Sequence, residues 1–165
     1  MSHSTDFYTV RGYQLLDQDK SLLTPALEDY LEMIYRMSLL EDPIRMSYLA
    51  RSLNVKTSSA SKMVQNLSLL NLVSYKKYGV ISLTPEGIEV GSYLYKRHYI
   101  IEAFLKNLDL SHDICTETEL LEHNISPHTL SNIDLFNQYL TQHPLIKEDF
   151  KKFKQTQKEP KKNPE

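Results

Sequence analysis

The strongest constraint on the fold is a change of hydrophobic period along residues 46–84. In "MSYLARSL" and "KTSSASKMVQNLSLLNLV", apolar residues recur every three or four positions, which predicts a short helix and a longer one. Ser47 is expected to cap the short helix, and Leu53-Asn54-Val55 to form the turn between the two. In "VSYKKYGVISLT" the pattern changes to that of strands around Tyr78-Gly79, which predicts a β-hairpin.

Helices are also predicted on both sides of this segment. Thr24 is a favourable N-cap and Pro25 a favourable first residue for a helix with Leu27 and Leu31 on its apolar stripe. Thr84-Pro85-Glu86 predicts the start of a long helix that ends near residue 107, and further helices are predicted at roughly 112–124, 127–142 and 145–156. The predicted fold class is therefore mainly α: an N-terminal winged helix-turn-helix with a small β-hairpin wing, followed by an all-helical domain.

Charge is distributed unevenly between the two parts. Residues 36–84 carry seven basic side chains against two acidic ones, a net charge of +5, whereas residues 85–149 carry four against eleven, a net charge of −7. This asymmetry predicts two different roles. We divide the chain into a flexible N-terminal extension (1–22), a winged-helix DNA-binding domain (23–84), a helical domain (85–150) and a Lys-rich tail (151–165).

The basic part of the chain predicts contacts with double-stranded DNA. The second helix of the helix-turn-helix begins with small hydroxyl residues and lysines, and small side chains let a helix enter the major groove. Gln65 is expected to contact adenine, and Lys62 guanine or phosphate, while Lys76 and Lys77 of the wing are expected to hold phosphate. The predicted DNA-contacting residues are Thr57, Ser58, Ser59, Ser61, Lys62, Gln65, Lys76, Lys77 and Tyr78.

The acidic part contains candidate metal ligands. In "ETELLEHN", Glu119, Glu122 and His123 share one helix face. His98 lies in line with the apolar residues of the long helix, and the first helix carries Asp29 and Glu32, three residues apart. If these six residues converge, their four carboxylates require a cation. Carboxylate and imidazole ligands suit manganese or ferrous iron, but the spacing alone leaves a wet acidic surface and a buried core histidine open.

Taken together, these segments resemble the diphtheria toxin repressor family, and in particular its short manganese-responsive branch. The resemblance covers roughly residues 23–142 and is most specific in "SASKMVQNL" and "EHNIS". It implies a homodimer whose residues 85–150 serve dimerisation and metal binding. It assigns the metal site to Asp29, Glu32, His98, Glu119, Glu122 and His123. Asp29 and Glu119 replace a methionine and a cysteine of iron-responsive relatives, which favours manganese.

The wing turn and the cysteine differ from the family pattern. Gly79 and Val80 replace a common Arg-Gly pair in the wing, so one phosphate contact is expected to be missing there. Cys115, the only cysteine, does not match the ligand cysteine of the family, and we expect it to be a core thiol. A single cysteine excludes an intrachain disulfide, which suits a reducing cytosol.

The predicted protein is therefore a cytoplasmic, metal-dependent transcriptional regulator without membrane association and without enzymatic activity. It is expected to bind one or two Mn²⁺ ions per subunit, with Fe²⁺ or another divalent ion possible, and to repress metal-uptake genes as a homodimer on a DNA operator. The alternatives are a metal-independent winged-helix regulator and a dinuclear metal hydrolase, for which the sequence offers no nucleophile motif.

Overall fold

The structure is a computed structural model that describes residues 23–40, 43–75, 79–110 and 113–158. The chain divides into two compact units, Met1–Arg97 and His98–Glu165. Within the described residues it forms seven helices and one two-stranded antiparallel sheet, which confirms the mainly α class with a small hairpin. The predicted N-terminal extension, the end of the Lys-rich tail and the wing residues Lys76, Lys77 and Tyr78 lie outside the described residues.

Helix α1, Pro25–Ser38, begins where the sequence predicts. The hydroxyl of Thr24 accepts a hydrogen bond from the backbone N–H of Leu27 at 3.4 Å, and Pro25 occupies the first turn, where a missing N–H costs nothing. The predicted stripe faces inward, since Leu31 and Ile34 are completely buried. The α1 helix is thus anchored to the first unit along one face.

Helices α2, Met46–Ser52, and α3, Thr57–Leu69, form the helix-turn-helix. Asn54 in the turn has a φ of 52°, a left-handed conformation that asparagine tolerates better than most residues. The N–H of Val55 closes the turn on the carbonyl of Ala50 at 2.9 Å. The expected Ser47 cap is wrong: the cap position lies two residues earlier, at Arg45, and no side chain caps the helix.

The wing consists of β1, Val73–Tyr75, and β2, Ile81–Leu83, which confirms the predicted hairpin. Val73 pairs with Leu83, and Tyr75 with Ile81. One further backbone bridge joins Ile44, just before α2, to Ile81. Ile44 therefore pairs with the wing as a single-residue extension of the sheet.

Helix α4, Pro85–Asn107, starts at a junction built on Thr84. The hydroxyl of Thr84 accepts a hydrogen bond from the N–H of Gly87 at 3.0 Å and donates one to the carbonyl of Asn71 at 2.7 Å. At Gly87 the backbone of α4 approaches that of Leu72 so closely that a Cβ would lie 1.8 Å from the Leu72 carbonyl oxygen. The contact fixes the first turn of α4 against the segment that joins α3 to the wing.

The second unit contains the end of α4 and three further helices: α5, Ile114–Glu122, α6, Pro127–Gln142, and α7, Pro144–Lys158. Ser126 caps α6 by accepting a hydrogen bond from the N–H of Thr129 at 3.2 Å. Asn137 is buried in this unit, where it donates to the carbonyl of Ile100 and accepts from Asn107. These bonds satisfy the buried amide and attach α6 to α4.

Helix α7 is attached to the end of α4 by one lysine. The ammonium of Lys154 donates to the carbonyls of Leu108 and Asp109, at 2.7 and 2.5 Å. These are the carbonyls at the carboxyl end of α4, where a positive charge is favourable. Within the described residues, no helix has the length and apolar character needed to cross a bilayer.

Candidate nucleic-acid interface and metal centre

The predicted DNA-contacting residues of α3 lie on its outer face. The opposite face is fixed in the core of the first unit through Ala60, Val64 and Leu67, which are completely buried. Ser61 is half-buried, and the other side chains are exposed: Thr57, Ser58, Ser59, Lys62 and Gln65. Helix α3 thus has one packed face and an opposite polar face that can enter a groove of DNA.

The first turn of α3 has no side-chain cap. Lys56 stands at the cap position, and its side chain accepts no hydrogen bond from the helix. The first N–H groups of such a helix take water or an anion as partner, and the positive end of the helix dipole favours the anion. Together with Lys56 and Lys62, this end of α3 suits a phosphate group.

A groove of about 520 Å³ separates α3 from the wing. Thr57, Ser58 and Ser61 of the predicted set line it, together with Val80 of the wing and Arg45, for which the sequence predicted no role. Arg45 is exposed and follows the bridged residue Ile44. Arg45 lies beside the wing because Ile44 is bridged to Ile81 of β2, a contact between distant residues that no local sequence pattern indicates.

The candidate ligands of the first unit lie on α1. Asp29 is exposed, whereas Glu32 is only 8% exposed. The carboxylate of Glu32 accepts a hydrogen bond from Arg36 Nη2 at 2.5 Å, and the Arg36 guanidinium also lies 5.8 Å from the ring centroid of Tyr95. Glu32 therefore has a cationic partner one helical turn away, and the i, i+4 spacing was the signal for it in the sequence.

In the second unit, the buried carboxylate of Glu122 lies close to two further candidate ligands, His98 and His123. Glu122 is 2% exposed. Its Oε2 lies 3.0 Å from Nδ1 of His98, and its Oε1 lies 3.8 Å from Nε2 of His123. Burial of a carboxylate is costly without such partners. The carboxylate and the two imidazoles are donors of the kind that Mn²⁺ and Fe²⁺ bind.

Glu119 is exposed, one turn before Glu122 on α5. Its Oε1 lies 3.8 Å from Sγ of Cys115. The expectation that Cys115 is a core thiol is wrong, because the residue is exposed. Partial desolvation of the sulfur, followed by the charges of Glu119 and Asp113, raises the pKa of the thiol. Cys115 therefore stays protonated near neutral pH, and a thiol binds metals poorly compared with a thiolate.

The N-terminal end of α5 is fixed by Asp113. Its carboxylate accepts hydrogen bonds from the hydroxyl and the backbone N–H of Thr116, at 2.6 and 3.4 Å, and these bonds lower the pKa of Asp113. Thr118 is completely buried and donates to the carbonyl of Ile114. The face of α5 that carries Thr118 and Glu122 is thus the buried one.

Comparison with known proteins gives matches along most of the chain. Residues 22–81 match the family model described as the iron dependent repressor, N-terminal DNA binding domain. Residues 84–151 match the one described as the iron dependent repressor, metal binding and dimerisation domain. The HTH-type transcriptional regulator MntR of Listeria welshimeri is 36% identical over 138 residues, which cover 82% of this chain and 96% of that protein. MntR of Lysinibacillus sphaericus is 34% identical over 124 residues, which cover 74% and 89%.

Among solved structures, the manganese regulator SloR is similar with a TM-score of 0.59 and 35% identity, over 68% of this chain and 54% of that one. The metal-dependent transcriptional regulator MtsR is similar with a TM-score of 0.62 and 27% identity, over 70% and 55%. The chain therefore spans about half the length of these two structures.

Proposed function

Since this chain belongs to the iron-dependent repressor family, we propose that it represses transcription in response to manganese, as a homodimer on a double-stranded DNA operator. Family membership confirms the resemblance to the diphtheria toxin repressor family. The family consists of transcriptional repressors, so the hydrolase alternative is set aside. We place this activity in the cytoplasm, where the DNA is, and we take metal-uptake genes as its targets.

The observation that carries the manganese proposal is the carboxylate of Glu122 between two imidazoles. We propose that the metal ligands are Asp29 and Glu32 of the first unit and His98, Glu119, Glu122 and His123 of the second. Four carboxylates and two imidazoles, without a thiolate, favour Mn²⁺ or Fe²⁺ over softer ions. One or two ions per subunit fit this number of donors.

The proposed coupling to DNA depends on where the ligands lie along the chain. Asp29 and Glu32 belong to α1, which is packed in the same unit as the reading helix α3. A divalent cation supplies the positive charge that four carboxylates need in order to share one site. If both units contribute ligands, α1 is held in one position and the reading helices of the dimer are fixed at one spacing. Couplings of this kind are about 1–3 kcal/mol.

The homodimer needs an apolar surface, and the second unit has one. Helix α5 buries Thr118 and Glu122 but leaves Leu120 64% exposed. Further large apolar side chains of this unit are exposed, namely Leu121, Leu135, Phe136, Tyr139, Leu145, Ile146, Phe150 and Phe153. Exposed apolar surface of this extent is typical of a protein interface, which supports dimerisation through the helical domain proposed for residues 85–150.

The test is DNA binding with and without Mn²⁺, measured by fluorescence anisotropy on a duplex selected from a random library with Mn²⁺-loaded protein. We expect Mn²⁺ to raise the affinity of the wild-type protein about 5- to 150-fold. Glu122→Gln should lose this increase and keep its metal-free affinity. The matched control is Glu117→Gln, which changes an exposed carboxylate of the same helix outside the proposed ligand set and should behave as the wild type.

Two outcomes would contradict the proposal. Equal affinity of the wild-type protein with and without Mn²⁺ would favour the metal-independent regulator, and so would the absence of binding heat in a calorimetric titration with Mn²⁺. A Glu122→Gln variant that keeps the full response would remove Glu122 from the ligand set. Circular dichroism of both variants establishes that they are folded.

A further inference from the structure

The groove between α3 and the wing has two kinds of wall. Arg45, Thr57, Ser58 and Ser61 supply one guanidinium and three hydroxyls. Tyr75 and Val80 of the wing supply apolar surface, and Val80 is 50% exposed. A single nucleotide of a DNA strand has the same two parts, because its phosphate is anionic and its deoxyribose is largely apolar.

The position of Arg45 beside the wing is fixed by the backbone. The N–H of Ile81 donates to the carbonyl of Ile44 at 2.8 Å, and both isoleucine side chains are buried. Arg45 has extended backbone angles, φ −99° and ψ 145°. Successive side chains of an extended segment point to opposite sides. Burial of Ile44 therefore directs Arg45 outward to solvent.

Basic residues outnumber acidic ones around Arg45, since residues 36–84 carry seven basic side chains against Glu41 and Asp42. Residues 43–75 and 79–84 contain no aspartate or glutamate, whereas they contain Arg45, Arg51, Lys56 and Lys62. An exposed arginine in such a segment keeps a positive potential that attracts a polyanion. Guanidinium also binds two oxygens of one phosphate through parallel hydrogen bonds, which an ammonium cannot do.

We propose that Arg45 binds a phosphodiester of the DNA strand that runs between α3 and the wing. The hydroxyls of Thr57 and Ser58 donate to the same phosphate, and Tyr75 and Val80 pack against the adjoining deoxyribose. The contact is to the DNA backbone, so it contributes affinity and register and does not distinguish bases. It rests on the proposed function only in that the chain binds DNA, and it requires no metal.

The test compares the salt dependence of DNA binding for Arg45→Ala, Arg45→Lys and Lys96→Ala in the full chain. Lys96→Ala is the matched control, because it removes one exposed charge of the same unit outside the groove. The probes are the selected duplex and an unrelated duplex of equal length. Each is titrated with protein in the presence of Mn²⁺, at salt concentrations from about 50 to about 300 mM.

Arg45→Ala should lower the affinity for both duplexes by the same factor. The negative slope of log K against log salt should become shallower by about 0.9 per subunit. At about 0.15 M salt this corresponds to a loss of affinity of about fivefold per subunit. Arg45→Lys should keep the slope of the wild type and bind less tightly, because the charge remains and the paired hydrogen bonds do not. Lys96→Ala should leave the slope unchanged.

The proposal is overturned if Arg45→Ala has the slope of Lys96→Ala, or if it weakens only the selected duplex, since the second result would indicate a base contact. This outcome is distinct from failure of the proposed function. A wild-type protein that binds DNA equally with and without Mn²⁺ would contradict manganese control, while the comparison of Arg45→Ala with Lys96→Ala would still decide the phosphate contact.

Discussion

Replacing Gly87 by alanine tests the contact between the start of α4 and the segment that follows α3. The added Cβ would lie 1.8 Å from the carbonyl oxygen and 2.8 Å from the carbonyl carbon of Leu72. Both are backbone atoms, so no side-chain rotation relieves the overlap. The first turn of α4 has to move away from Leu72, and with it Thr84, whose N–H donates to the Leu72 carbonyl at 3.1 Å.

Three contributions decide the size of the effect. Alanine is favoured over glycine in a helix by about 1 kcal/mol. Overpacking costs about 1–3 kcal/mol, and weakening the Thr84 hydrogen bonds to Leu72 and Asn71 costs about 0.5–1.5 kcal/mol each. The steric and hydrogen-bond costs exceed the gain in helix propensity, so we expect Gly87→Ala to lower the free energy of unfolding by about 1–5 kcal/mol.

The assay is urea denaturation followed by circular dichroism, with Glu86→Ala as the control. Glu86 is the preceding residue of the same helical turn and is exposed, so its replacement should change the free energy of unfolding by no more than about 0.5 kcal/mol. A Gly87→Ala protein as stable as the wild type would refute the reasoning, because it would mean that α4 and Leu72 separate without cost.

Three further predictions concern stability and reactivity. Leu31→Ala empties a completely buried position of α1 and should lower the free energy of unfolding by about 2–5 kcal/mol; a loss below about 1 kcal/mol in urea denaturation would contradict its core role. Lys154→Met should speed amide hydrogen exchange at the end of α4, whereas Lys151→Met, at an exposed position of the same helix, should not; equal exchange in both variants would argue against the lysine contact. Cys115 should react with iodoacetamide at pH 8 more slowly than free cysteine, because its raised pKa reduces the thiolate fraction. Glu119→Gln removes one cause of the raised pKa and should speed the reaction. An unchanged rate would show that Glu119 does not affect the thiol.

Local sequence signals predicted most of the helices and the wing. Thr24-Pro25 combines a cap with a proline in the first turn, and α1 begins there. The hairpin and the turn at Asn54 were also found where composition and period indicated them. These features depend on residues within a few positions of one another, and a sequence reports such interactions directly.

The features that could not be predicted depend on distant residues. Helix α2 begins before Ser47, directly after a segment in which Ile44 is bridged to Ile81, far along the chain. Cys115 is exposed because α5 buries the row of Thr118 and Glu122 instead of its leucines. The spacing of apolar residues predicts the wrong buried face for such a helix, because hydropathy does not indicate that a carboxylate with imidazole partners is buried.

The candidate site was predicted in part. His98, Glu122 and His123 were singled out from spacing and resemblance, and they lie together in the second unit. The partnership of Glu32 with Arg36 was not anticipated, although their spacing allowed it. Whether Asp29 and Glu32 share an ion with the other four residues stays a prediction.

The lysine that holds α7 against the end of α4 affects which substitutions the chain can accept. Lys154 bonds to main-chain oxygens of positions 108 and 109, which every amino acid provides. Position 108 is therefore free to change without loss of these bonds. Position 109 is constrained by its left-handed backbone, with a φ of 53°, and by its carboxylate, which lies 3.9 Å from the Lys154 ammonium. Homologous chains that keep this attachment should vary at residue 108 and retain a long cationic side chain at residue 154.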